Sequence, residues 1–238
     1  MVETGWSVES ADESVRRVSS FPFYSSGSKK LDALLGGGFR AGTLTEIFGR
    51  SNSGKSQLAM QAALEAAKVG TMTLYVDTEG SFRPERLEQM AGARGWNPGG
   101  LLEKVIYTRS DSSSEQMEAV RRMQGRETTA RCKLAVIDTL TRNFTVELPG
   151  SSNMASRQGA IDIHLSEMAR DAYIYGRAYI LTNRVTFGPT RDVGIGGRTV
   201  EQLVNTSVLL EKEGPEVRAT KIGTGEKIRL EMTENGVA

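Results

Sequence analysis

Residues 49–57 read Gly49-Arg50-Ser51-Asn52-Ser53-Gly54-Lys55-Ser56-Gln57. The spacing is a glycine, four residues, then Gly54, Lys55 and Ser56, which fits a phosphate-binding P-loop. Glycines let the backbone wrap a polyphosphate so that successive N–H groups point inward, and the following helix adds its positive end. Lys55 would reach the outer phosphates, and the Ser56 hydroxyl would ligate Mg²⁺. A match this short also arises by chance, so its surroundings decide. They support it: "GTLTEIF" reads as a strand running into the loop, and "SQLAMQAALEAAKVG" reads as a helix running out of it.

Outward from that unit the chain alternates. "TMTLYVD", "VIYT", "KLAVID" and "AYILTN" are buried strands, separated by the helices "PERLEQMAGARG", "SSEQMEAVRRMQ" and "MASRQGAIDIHLSEMARDAYIYG". Strands alternating with helices specify a mostly parallel sheet covered on both faces. From Ser207 onward, "SVLLEK", "EVRATKI" and "KIRLEM" are separated by turn residues and read as an antiparallel extension at one sheet edge. Residues 1–20 form a polar extension with a short helix around 10–18, and residues 21–238 form one core domain.

The chain has 238 residues, 38% hydrophobic and 25% charged, and a net charge of +1. That balance excludes a broadly basic surface, so any nucleic-acid contact has to come from local loops. No apolar run is long enough to span a bilayer. The acidic N-terminus does not read as a signal peptide, so a cytoplasmic protein with no membrane partner is expected. Cys132 reads as a small buried residue beside a core strand, and His164 as a surface or interhelix residue. One cysteine and one histidine cannot assemble a soft-ligand zinc site.

Two acids complete the chemistry. "KLAVID" ends in Asp138, an acid after an apolar strand, placed to hold Mg²⁺ opposite Ser56. "LYVDTEG" sets Glu79 just past the next strand, 24 residues after Lys55. At the carboxyl end of a parallel strand, side chains face the ligand crevice. Glu79 is there a candidate general base for water attacking a γ-phosphate.

The motifs "SSGSKKLDALLGGGF", "GRSNSGKSQLA", "VDTEGSFRPERLEQMAGARGWNP" and "AVIDTLTRNF" together resemble the RecA-type recombinases. The likeness is to the archaeal RadA/RadB branch, especially the short RadB paralogs, and covers residues 25–236. It implies a RecA-like P-loop ATPase core, with ATP and Mg²⁺ as ligands and DNA as partner. It also implies Arg86 stacking on adenine, and Asn183 and Arg184 as γ-phosphate sensors. The family usually carries Asn-Gln at that pair, so Arg184 is a departure that adds a fixed charge. DNA-binding loop 1 aligns with "NFTVELPGSSN", where Thr145 and Ser151 stand in place of arginines and Arg142 is the nearest base. Loop 2 aligns with "VTFGPTRDVGIGGRTVEQ", offering Phe187, Arg191 and Arg198, with Phe187 able to stack on an unpaired base.

Family strand-exchange enzymes polymerise by docking a Phe-x-x-Ala segment onto the next core. Here "SSFPFY" offers Phe21 and Phe23, which either add an edge strand to another copy or to a RadA-type recombinase, or pack on their own chain. Two functions stay open. One is a weak DNA-associated ATPase that assists or regulates the main recombinase without driving strand exchange. The other is a nucleotide-gated assembly module with little turnover.

Overall fold

The structure, a computed structural model, describes residues 9–124, 131–187 and 192–238. Its centre is a nine-stranded sheet. In sheet order the strands are β13 (Gly236–Val237), β12 (Lys227–Thr233), β11 (Glu216–Lys221), β10 (Thr206–Glu213), β3 (Leu44–Gly49), β7 (Ala178–Asn183), β6 (Cys132–Asp138), β4 (Met72–Asp77) and β5 (Val105–Arg109). The six from β10 to β5 run parallel, and β10 to β13 pair antiparallel, as the sequence predicts.

The strands read as continuous apolar runs because both sheet faces are covered, and their alternation sorts side chains into two cores. On one face Ile47, Tyr75, Val136, Ile180 and Leu210 meet α2 (Lys29–Leu35), α3 (Lys55–Lys68) and α4 (Pro84–Ala93). On the other, Leu44, Leu74, Val76, Ile137 and Leu181 meet α6 (Ser113–Arg122), α8 (Met154–Tyr175) and α9 (Gly197–Leu203). Cys132 is fully buried at the start of β6, and burial pushes its thiol up to about 11. It is a packing residue, as its sequence context indicates.

Both ends of the described core are tied to the P-loop helix through one side chain. Gln61 of α3 is fully buried. Its amide donates to Ser26 O at 2.8 Å and Val237 O at 2.9 Å, and accepts from Val237 N–H at 2.7 Å. α1 (Ala11–Ser19) also docks: the Arg17 guanidinium donates to Tyr173 O and lies 4.2 Å from the Tyr173 ring, holding it to the end of α8.

Short elements appear that the sequence did not specify, two of them in segments expected as loops. β1 (Phe23–Tyr24) pairs with β2 (Phe39–Arg40). Phe21 is part-buried beside Gly42 and Gly176, while Phe23 stays 46% exposed. Phe21 packs on its own chain, while the Phe23 ring keeps nearly half its surface open. The segment expected as loop 1 contains α7 (Arg142–Glu147), nucleated by burial of Phe144 against the α8 core. Its Glu147 carboxylate accepts from Ser113 N–H at 2.6 Å, which fastens it to the start of α6. The segment expected as loop 2 holds a hairpin, β8 (Val185–Phe187) with β9 (Asp192–Gly194), followed by α9.

His164 lies on α8 beneath α7, fully buried, its ring 5.7 Å from Phe144. Burial, reinforced by the charge of Arg121, pulls its pKa down to about 3. The folded state therefore holds it neutral, while the unfolded chain binds a proton below about pH 6.5. Stability from this residue is present at neutral pH and declines as pH falls from 6.5 towards 3. We expect His164→Leu to gain about 2 kcal/mol relative to wild type on moving from pH 7 to pH 5, measured by urea unfolding. Parallel pH curves would contradict this assignment. Gln61→Leu is expected to cost about 2–5 kcal/mol in the same assay, since it strands buried backbone groups of both chain ends. A loss under 1 kcal/mol would count against Gln61 as the tie.

Candidate nucleotide-binding site

Four neighbouring parallel strands, β3, β7, β6 and β4, end on the same side of the sheet, and the P-loop crosses above them. The loop is shaped by close approach. A Cβ on Gly49 would sit 2.3 Å from Leu210 O. Gly54 has φ +92°, and a Cβ there would meet Met232 Cε at 2.5 Å. Gly54 caps α3 without any side-chain acceptor, so the first N–H groups of the helix are available to an anion. They open on a cavity of about 630 Å³ lined by Ser51, Asn52, Gly54, Lys55, Ser56 and Gln57 on the loop side. Glu79, Ser81, Thr139 and Arg184 line the strand-end side, and Lys212 and Met232 the far wall.

Lys55 is nearly buried, and its ammonium donates to Gly49 O at 2.8 Å and Arg50 O at 2.7 Å. Burial pulls its pKa down, opposed by the charges of Asp138 and Glu79. Ser53 is buried beneath the loop. Arg50 also lines a separate surface recess with Leu209 and Glu211, and its backbone carbonyl accepts from Lys55 Nζ in the cradle.

Asp138 is fully buried at the end of β6. One oxygen accepts from Ser56 Oγ at 3.1 Å and from the Thr182 hydroxyl. The other accepts from Tyr75 Oη at 2.7 Å and Ser81 Oγ at 3.2 Å. Burial, with the Asp138 charge, pushes the Tyr75 phenol well up, so it remains a donor. Ser56 and Asp138 thus meet as hard oxygen donors, the ligand chemistry that suits Mg²⁺. The residues present fit that ion.

Glu79 stands on a turn organised by its neighbour. Asp77, also fully buried, accepts from the backbone N–H groups of Glu79, Gly80, Ser81 and Phe82 at 2.8–3.2 Å. The Glu79 carboxylate accepts from Thr139 Oγ1 at 3.3 Å and pairs with Arg184 Nη2 at 2.7 Å. Asp77 therefore positions, and Glu79 faces the cavity.

Asn183 points away from the cavity. It is buried, donating to Glu46 Oε1 at 2.8 Å and Ile195 O at 2.7 Å, and accepting from Thr141 Oγ1 at 2.7 Å. Glu46 is itself buried on β3, where desolvation raises its pKa. Asn183 thereby links the strand feeding the P-loop to the starts of both α7 and α9. Arg86, expected against adenine, lies outside the cavity lining. Its guanidinium donates to Thr233 O at 3.0 Å and Glu234 O at 2.8 Å, because the β12–β13 turn leaves those carbonyls open. Gln57 Nε2 reaches the same Thr233 carbonyl at 3.3 Å, so Arg86 touches the site only through that turn.

Of the expected DNA contacts, Arg142 opens α7 and Arg198 lies exposed in the first turn of α9. Phe187 ends β8, and Arg191 lies outside the described residues. Sequence reasoning missed Tyr75, Ser81 and Thr182, the donors around Asp138, and Lys212 and Met232 on the far wall. The one available signal was a threonine inside the otherwise apolar "AYILTN".

The Rad51 family model matches residues 19–233. Three similar proteins carry the name DNA repair and recombination protein RadA. That of Ignicoccus hospitalis is 39% identical over 85% of this chain and 64% of its own length. Those of Metallosphaera sedula and Aeropyrum pernix are 34% and 33% identical, over 88% and 82% of this chain and 67% and 65% of theirs. The chain spans about two thirds of the length of these relatives. On the matched motifs, the cradle they build and these likenesses, the chain belongs to the Rad51 family within the RecA/RadA recombinase superfamily.

Proposed function

We propose that this chain is an ATP-binding DNA recombination and repair protein of RadB type, a weak Mg²⁺-dependent ATPase that assists or regulates a RadA-type recombinase. The observation that carries the reading is the convergence of Lys55, Ser56 and Glu79 on one cavity at the carboxyl ends of adjacent strands, with Asp138 buried directly behind Ser56 and bonded to its hydroxyl. The loop N–H groups and Lys55 hold the β- and γ-phosphates, with the ammonium leaving the loop carbonyls for the stronger anionic partner. A Mg²⁺ ion held by Ser56 and Asp138 would neutralise charge on the phosphate oxygens. Glu79 orients the attacking water and takes its proton. The three RadA relatives are named for DNA repair and recombination, and that role is carried to this chain as part of the proposal.

DNA contact is assigned to the β8–β9 hairpin and α9, with Arg142 adding one base from α7. For a partner, the edge strand β5 runs beside a recess of about 570 Å³ with Leu74, Ile106 and Ala119 on its floor and the charged Arg109, Glu115, Glu118, Arg121 and Arg122 also lining it. This suits a phenylalanine-bearing segment of another recombinase-family chain, seated by strand addition. The second reading, a nucleotide-gated module with little turnover, is favoured by a single contact: the Glu79 carboxylate is already paired with Arg184.

ATPase assays separate the two. Glu79→Gln is expected to lower turnover at least 100-fold with single-stranded DNA present, while nucleotide affinity persists. Equal background rates in wild type and variant would favour the module. For DNA, Arg142, Arg191 and Arg198 offer few phosphate contacts, so the log–log salt slope for single strands should be about −2. A slope near −10 would contradict the accessory role.

A further inference from the structure

The turn that carries Glu79 runs from the end of β4 to the start of α4, and the edge strand β5 flanks it. β5 pairs with β4 so that Tyr107 lies beside Tyr75 and Arg109 beside Asp77. Paired residues of a parallel ladder share a face, so both β5 side chains project to the side where the turn passes. The backbones also join here, since Ser110 N–H donates to Asp77 O at 3.0 Å.

Two side chains of β5 hold the turn. The Phe82 ring sits between Tyr75 and Tyr107, with centroids 4.8 and 4.6 Å away, and stacks on Tyr107 at 22°. Arg109 lies against Gly80: that glycine has φ +73°, and a Cβ there would meet Arg109 Nη1 at 2.6 Å. Asp111 Oδ1 accepts from Arg109 Nε at 2.8 Å and steers the guanidinium. Nη1 is buried without a hydrogen bond, 3.7 Å from the fully buried Asp77 carboxylate. The Tyr107 hydroxyl stands 3.4 Å from the other Asp77 oxygen, so the contribution of Tyr107 is its ring face rather than a strong hydrogen bond.

Asp77 needs this help. The N–H groups of Glu79, Gly80 and Ser81 all donate to its Oδ1, one more donor than that oxygen has lone pairs, and each bond is weakened by the sharing. We infer that Tyr107 and Arg109 are positioning residues for Glu79. The ring and the guanidinium pack the 79–82 turn down onto Asp77 and so keep the Glu79 carboxylate at the cavity. Neither side chain lines the cavity, and both act through the turn. This deepens the proposed function and rests on reading Glu79 as the base of an ATPase site.

The test uses the full chain with ATP, Mg²⁺ and single-stranded DNA. Tyr107→Leu and Arg109→Leu are compared with wild type, with Tyr107→Phe, and with Thr108→Val on the opposite face of the same strand. Each leucine variant should lower kcat about ten-fold while KM for ATP stays within about two-fold, because the base is displaced and the phosphate cradle is not. Tyr107→Phe, which keeps the ring, and Thr108→Val should match wild type. Amide exchange at residues 79–82 should accelerate about ten-fold in the leucine variants, with the α3 amides unchanged. Exchange at 79–82 unmoved by both leucine variants, or moved as much by Thr108→Val, would overturn the positioning role. A KM that rises as much as kcat falls, or Tyr107→Phe as slow as Tyr107→Leu, would also overturn it. A wild type no faster than Glu79→Gln would overturn the ATPase reading instead, and exchange at 79–82 would still decide whether Tyr107 and Arg109 hold the turn.

Discussion

A carboxylate with no exposure to solvent must be matched by donors, because an unpaired buried charge costs several kcal/mol. Asp138 meets that demand with hydroxyls from Ser56, Tyr75, Ser81 and Thr182. The first comes from the P-loop helix, the second from β4, the third from the turn after β4 and the fourth from β7. Each bond to the charged group contributes about 1.5–3 kcal/mol, so the cage sets the mutual register of the elements that form the cavity. The P-loop helix cannot shift along the sheet without stranding Asp138.

Two further buried polar groups extend this control. Asp77 gathers four successive N–H groups and so fixes where Glu79 leaves the backbone. Asn183 joins Glu46, Thr141 and Ile195, and through them the strand below the P-loop to the starts of α7 and α9. Neither side chain needs to touch a ligand to shape the site. Chemistry is left to groups at the cavity wall: Lys55, Ser56, Glu79 and Arg184. Buried polar groups thus hold the charged side chains of the cavity wall within reach of one another.

Much of this was legible from local pattern. An apolar run ending in Asp138, or a strand and helix flanking Gly49 to Ser56, needs only neighbouring residues to be read. The β4 strand and the position of Glu79 were legible for the same reason. The hydroxyl cage was not, because its members are remote in sequence and look like ordinary serines, threonines and tyrosines. α7 escaped notice because its formation depends on Phe144 reaching a core built by α8, a tertiary effect that outweighs a weak local signal. The hairpin β8–β9 is only three residues per strand and sits in a glycine-bearing stretch. Arg86 was assigned by likeness to its family, and its geometry here is set by carbonyls of the β12–β13 turn, which no motif around Arg86 announces.

A crystal structure of the full chain with Mg²⁺ and a non-hydrolysable ATP analogue tests the central claim most directly. The expected result is a γ-phosphate bound by Lys55 Nζ and the loop N–H groups. Ser56 should hold the metal, with Asp138 reaching it through water, and Glu79 should face the terminal phosphate. An analogue bound elsewhere, or a γ-phosphate in the cradle with Glu79 and Asp138 both turned away from it, would contradict the claim.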